Sequence, residues 1–260
     1  MKANYHTHTY RCLHATDIED QQYVIQAINA GFDVLAFTDH VPYPKIKYQE
    51  DQQGRMLYTQ YDEYLTSITS LRERYRSKIK ILTGFEIEYY PEYLDYYKWL
   101  KTQVDILVLG QHYRFPLAHD YGIYNNDNDV LVYAEQICES IYAGVPNVLA
   151  HPDYFMLGRS KWTTSCIKAS EMICETASRH NIPLEINLNG LRYGKKLIDN
   201  KEAYPYPYLP FWQIAERYGC KVIYGYDAHD PLTLSQTWRI DEVNKILKGL
   251  KLDHIDTIGG

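Results

Sequence analysis

Val34-Leu35-Ala36-Phe37-Thr38-Asp39-His40 is a strand-forming run that closes on a polar pair, and the pattern on either side of it sets the fold. Before it, Tyr23, Ile25, Ala27 and Ile28 recur at helical spacing. Similar runs stand at Asn4–His8, Val34–Thr38, Ile79–Phe85, Ile106–Gly110, Val148–His151, Leu184–Leu188 and Val222–Tyr226. Each is followed by a polar loop and apolar residues at helical spacing. Ile137, Ile141 and Tyr142 mark the fourth helix, and Ile167, Met172, Ile173 and Ala177 the fifth. Regular strand–helix alternation predicts a parallel sheet. Seven such units in 260 residues, with no long Pro/Gly/Ser linker, suit a closed or nearly closed barrel better than an open doubly wound sheet. One α/β domain spanning residues 1–260 is expected. Pro42–Thr59 reads as a long polar loop beside the active face. Tyr204-Pro205-Tyr206-Pro207-Tyr208 reads as another loop, because proline removes ladder donors.

Composition narrows the class. With 45% hydrophobic residues the chain can fill one sizeable core. It has no run of about 18 apolar residues to cross a membrane, and its N-terminus lacks a secretory apolar stretch. A cytoplasmic protein without membrane partners is expected. The net charge of −6 and the lack of a Lys/Arg block argue against a nucleic-acid partner. A small anionic substrate stays compatible, since a bound metal dominates its local field. Five cysteines (Cys12, Cys138, Cys166, Cys174, Cys220) without a C-x-x-C pair read as reduced, buried thiols. Some of the 27 tyrosines are expected to line a pocket. A monomer or small homo-oligomer is expected.

The chemistry lies in the histidines. His6 and His8 form H-x-H on the first strand, His40 ends the second, His112 the fourth and His151 the fifth. Asp227 and His229 end the seventh, Glu86 and Glu88 the third, and His14 follows the first. Side chains two apart on a strand share a face, and parallel barrel strands deliver their C-terminal ends to one face. A single histidine at a strand end is ordinarily a hydrogen-bonded loop residue. Histidines at five of seven strand ends, with a glutamate at a sixth, point to a metal centre. Mixed imidazole and carboxylate donors suit zinc, manganese or iron rather than calcium. Nine candidates, with Glu88 set aside, exceed one ion and suit two or three around a bridging carboxylate. His119, His180 and His254 read as ordinary surface residues.

In order, His6-Thr7-His8, Cys12-Leu13-His14-Ala15, Thr38-Asp39-His40, Gly84-Phe85-Glu86, Gly110-Gln111-His112, Ala150-His151-Pro152 and Asp227-Ala228-His229 resemble the PHP (polymerase and histidinol phosphatase) family across essentially the whole chain. The stand-alone histidinol-phosphate phosphatases are the members it looks most like. The resemblance implies a distorted seven-stranded (β/α)7 TIM-like barrel and three divalent ions (Zn, Mn or Fe). It implies His6, His8, Glu86 and Asp227 at the first ion, Glu86, His112 and His151 at the second, and His14, His40 and His229 at the third. It also implies hydrolysis of L-histidinol phosphate to L-histidinol and phosphate in histidine biosynthesis.

The reaction expected of such a site is in-line attack on phosphorus by a hydroxide formed between the metals. Arg159 and Arg192, on loops after the fifth and sixth strands, are the candidate phosphate clamp, with Arg11 behind them. Asp17 is either the acid that protonates the leaving group or a first-turn residue behind a Thr16/Glu19 capping box. Glu88 is either a carboxylate behind the metal ligands or one facing substrate; Glu88 and Asp153 are candidates to receive the substrate ammonium. Asp39 is expected to orient a ligand histidine. Other phosphomonoesters (phosphotyrosine, sugar phosphates) and a non-catalytic metal-binding scaffold are the competing readings.

Overall fold

The computed structural model describes residues 1–44, 54–123 and 125–258. Its main sheet has eight strands, all parallel: β1 (Ala3–Asn4), β2 (Val34–His40), β3 (Lys80–Ile87), β4 (Ile106–Leu109), β7 (Val148–Leu149), β8 (Leu184–Asn187), β11 (Lys221–Gly225) and β12 (Asp253–His254), hydrogen-bonded in that order. Between them run α1 (Asp20–Asn29), α2 (Tyr61–Tyr75), α3 (Leu94–Gln103), α4 (Asp127–Tyr142), α5 (Thr164–Arg179), α6 (Leu209–Arg217) and α7 (Trp238–Ile246). All seven anticipated strands have a counterpart, although the first, expected over Asn4–His8, is Ala3–Asn4 followed by an isolated bridge at Thr7. The expected strand count is corrected by β12, which pairs with β11 through a two-residue register. Two antiparallel hairpins were also not anticipated: β5–β6 (Tyr113–Phe115, Ala118–Asp120) and β9–β10 (Lys196–Ile198, Lys201–Ala203).

The sheet curls into a TIM-like arrangement. The continuation of β1 meets the segment after β11 through a parallel bridge between Thr7 and Ala228. Asn4 holds that junction: its side chain accepts from Tyr226 N and donates to His6 O and Thr7 Oγ1. The sheet's interior is small and apolar, packed from Tyr5, Val34, Ala36, Ile106, Val108, Val148, Ala150 and Ile223. Leu35 and Phe37, which alternate with Val34 and Ala36, join the larger core under the helices. Burial on both faces is what a parallel sheet clad in helices requires, and every residue of β2 is buried.

This alternation also aims the site. Following the two-residue period up β2 from Val34 and Ala36 leads to His40; up β4, Ile106 and Val108 lead to His112; up β11, Ile223 leads to Asp227 and His229. Gly84 on β3 lets its neighbour close in, since a Cβ there would lie 2.4 Å from Ile106 O.

The Thr16/Glu19 capping box is not made. Glu19 itself precedes α1 without a side-chain cap, and the Thr16 hydroxyl donates to His229 O. Tyr204–Tyr208 forms no strand, as its prolines required. Of the polar stretch Pro42–Thr59, residues 45–53 lie outside the described residues. All five cysteines are free and buried. Among the described residues no helix is long and apolar enough to cross a membrane.

Candidate metal centre

The nine candidate ligands converge at the C-terminal end of the sheet; seven of them line a cavity of about 290 Å³, and His6 and His8 are fully buried beside Glu86. Glu86 is at the middle. Its Oε2 lies 3.4 Å from His6 Nε2, 3.5 Å from His8 Nε2 and 3.0 Å from His40 Nδ1. Its Oε1 lies 3.0 Å from His151 Nε2 and 3.7 Å from His112 Nε2. Asp227 Oδ1 sits 3.1 Å from His8 Nε2 and 3.6 Å from His6 Nε2. His14, His40 and His229 form a neighbouring trio whose donor atoms fall within 4.8 Å of one another.

The far nitrogens of the rings decide what the near ones present. His14 Nδ1 lies 2.9 Å from Cys12 O, and His229 Nδ1 lies 2.9 Å from Asp227 O. A carbonyl can only accept, so Nδ1 carries the proton in both rings and a neutral ring leaves Nε2 a bare lone pair. Those two Nε2 atoms face each other at 2.8 Å, an approach that a shared proton or a metal ion between them relieves. His6 is fixed likewise by Glu185, 2.9 Å from its Nδ1, and His112 by Glu88, 3.2 Å from its Nδ1. His6 Nε2 and both nitrogens of His8 are buried without a hydrogen-bond partner among the described residues. Buried, unpartnered nitrogens beside carboxylates fit divalent ions well.

The electrostatics agree. Burial opposes charge on His6, but Glu185, Asp227 and Glu86 outweigh it and raise its pKa well above the usual imidazole value. Glu86, though buried, is held well below the carboxylate range by His40, His6 and His112. Burial, aided by the charge on His8, pushes His40 down to about 3 against the pull of Glu86. The carboxylates thus demand positive charge, while part of the imidazole set resists taking it as protons.

Two glycines make room for the buried carboxylates. A Cβ on Gly110 would stand 1.8 Å from Glu86 Oε1, and one on Gly225 would stand 2.1 Å from Glu185 Cδ. His151 and Asp227 adopt left-handed backbone, with φ of 29° and 46°. The turn explains why His151, next in sequence to inward-facing Ala150, also reaches the site. Asn187 and Asn189 each donate to Asp227 Oδ2 at 3.2 Å, leaving Oδ1 for the histidines.

Other candidates are redistributed. Arg192 lines the cavity, its guanidinium above the Tyr193 ring. Arg159 does not reach it: its fork is spent on Asp127, Thr163 and Asn125 at the start of α4 and α5. Arg11 is buried in a fork to Asp20 and Glu63. Asp17 is exposed and outside the cavity lining. Asp153 is buried outside the cavity lining and accepts from Tyr208 N and Trp212 Nε1, so it receives no ammonium. Glu88 lines the cavity with its carboxylate already engaged by Arg55, His112 and Tyr43, which favours support of a ligand over an ammonium contact. Asp39 stands 3.5 Å from His8 Nδ1 and accepts from Thr9.

Sequence reading missed Glu185, Arg55 and the two asparagines. Glu185 left a signal, a charged residue inside the apolar strand Leu184-Glu185-Ile186-Asn187 with Asn187 on its face. Arg55, within a polar stretch, left none.

The PHP domain matches residues 4–189, from β1 past the end of β8. The chain belongs to the PHP domain family. A probable histidinol-phosphatase of Schizosaccharomyces pombe is 28% identical to this PHP-domain chain over 260 residues, covering 89% of it and 81% of that protein. Histidinol-phosphatase of Bacillus subtilis is 30% identical over 97 residues, 36% of either chain. The crystal structure of histidinol phosphate phosphatase from Lactococcus lactis, complexed with zinc, L-histidinol and phosphate, shares the fold at a TM-score of 0.69 and 16% identity, over 99% of this chain and 97% of that one.

Proposed function

We propose that this PHP-domain chain is a metal-dependent phosphomonoesterase that hydrolyses L-histidinol phosphate to L-histidinol and phosphate, as a step of histidine biosynthesis. The observation that carries the reading is the pair of bare Nε2 atoms of His14 and His229, 2.8 Å apart, beside a set of buried imidazoles gathered on Glu86. The relatives bearing a histidinol-phosphatase name, and the zinc, histidinol and phosphate in the Lactococcus structure, support the substrate and metal class. The proposed arrangement puts one ion at His6, His8, Glu86 and Asp227, one at Glu86, His112 and His151, and one at His14, His40 and His229.

Divalent ions held there supply Lewis acidity to a phosphoryl oxygen and acidify water. The chain's own residues do the rest. Glu185 and Glu88 hold the His6 and His112 rings by Nδ1, so that Nε2 faces the centre. The two asparagine donors confine Asp227 to one free oxygen. Arg192 offers charged N–H donors to phosphate, and Tyr113, Tyr154, Tyr193 and Tyr206 narrow the cavity for a planar ring.

Purified protein, with its metal content measured, should be assayed against a phosphoester panel. Dominant kcat/KM for L-histidinol phosphate is expected. Comparable values for phosphotyrosine or sugar phosphates would count against that substrate, and no turnover by metal-loaded protein would favour a metal-binding scaffold.

A further inference from the structure

The geometry points to Arg55 as a phosphoryl-binding residue, which takes the place that loop position had suggested for Arg159. The inference rests on the phosphatase reading of the same cavity. Arg55 lines that cavity and is itself 2% exposed. Its Nη2 donates to Glu88 Oε1 at 2.5 Å, while Nε and Nη1 are buried with no partner among the described residues. Its guanidinium lies 5.4 Å from the Tyr43 ring centre and 5.9 Å from that of Tyr113.

A buried guanidinium with unused N–H groups carries an unrecovered desolvation cost. By contrast, Arg159 and Arg11 in this chain have their forks taken up by carboxylates and hydroxyls. The donors of Arg55 that find no partner among the described residues open the question of what anion completes them. The site supplies the answer by adjacency: Glu88 bonds both Arg55 and the Nδ1 of His112, whose Nε2 faces Glu86. Arg55 is therefore one side chain removed from the proposed ions. Through Glu88 and the Tyr113 ring it neighbours the segments that follow β3 and β4, whereas Arg192 follows β8. A phosphoryl group in the cavity would have both guanidinium side chains among its lining residues.

The pair with Glu88 makes Arg55 a directional donor more than a source of net charge. A planar fork serves that role and an ammonium does not.

The test is Arg55→Lys, which keeps a cation for Glu88 and removes the fork. Inorganic phosphate binding to the metal-loaded protein is read by calorimetry and by inhibition, alongside elemental analysis. Expected are phosphate binding weaker by about tenfold, KM for L-histidinol phosphate raised in parallel, and full metal content. Phosphate binding within about twofold of the parent, or loss of metal, would overturn the assignment; the latter would make Arg55 a support for Glu88 and His112. Where the single variant fails to fold, Arg55→Met with Glu88→Gln avoids an unpaired buried carboxylate, and at full metal content it should bind phosphate at least about tenfold more weakly than Glu88→Gln alone; binding equal to that of Glu88→Gln overturns the assignment. A parent protein that binds phosphate yet hydrolyses nothing would sink the enzymatic reading, while the phosphate titration still judges Arg55.

Discussion

Gly110→Ala adds one methyl group and should dismantle the centre. Gly110 does not occupy the left-handed region, so alanine suits its backbone. The cost comes from the far side of the added carbon, which would lie 1.8 Å from Glu86 Oε1 and 2.7 Å from its Cδ. A carbon–oxygen contact needs more than about 3 Å, so the carboxylate must retreat by roughly 1 Å. Metal–ligand distances tolerate only about 0.2 Å, and Glu86 is the residue that five histidines approach. A displacement of that size costs on the order of a hundredfold in rate. The expected result is kcat/KM lowered at least about a hundredfold and metal per chain reduced, with far-ultraviolet circular dichroism unchanged because the strand itself is not strained. Full metal content together with kcat/KM within about threefold of the parent would refute the reasoning.

Glu86→Gln should abolish phosphatase activity and lower bound metal; unchanged stoichiometry by elemental analysis would remove its bridging role. Glu185→Gln takes the anionic acceptor from His6 Nδ1 and should weaken metal retention in a chelator competition by about 10- to 100-fold; equal retention would show that His6 needs no such partner. Arg159→Met should leave KM within about twofold while lowering stability by roughly 1 kcal/mol, a small figure because its partner Asp127 is half exposed; a tenfold rise in KM would return Arg159 to the phosphate. Burial without a countercharge raises the Asp153 pKa from 3.8 to about 7. A raised carboxyl pKa favours the protonated folded form, so this contribution is complete below about pH 4 and is lost as pH rises to about 7. Asp153→Asn should therefore gain on the order of 4 kcal/mol relative to the parent between pH 4 and pH 8; parallel urea midpoints at both pH values would contradict it.

The amino-acid sequence determined the alternation of strands and helices, the seven long-range strand positions and the nine metal-ligand candidates. Two-residue periodicity and the common polarity of parallel strands are local rules, and they suffice to send His40, His112 and Asp227 to one face. Tertiary structure decided the partners. His6 finds Glu185 across 179 residues, and Arg159 turns to Asp127, 32 residues before it, instead of to the cavity. Arg55 reaches Glu88 from a polar stretch without a periodic signal. The eighth strand, Asp253-His254, is polar and exposed, so it left no apolar run to read. A long side chain goes where its charge is best met, and where that lies depends on how distant segments pack together.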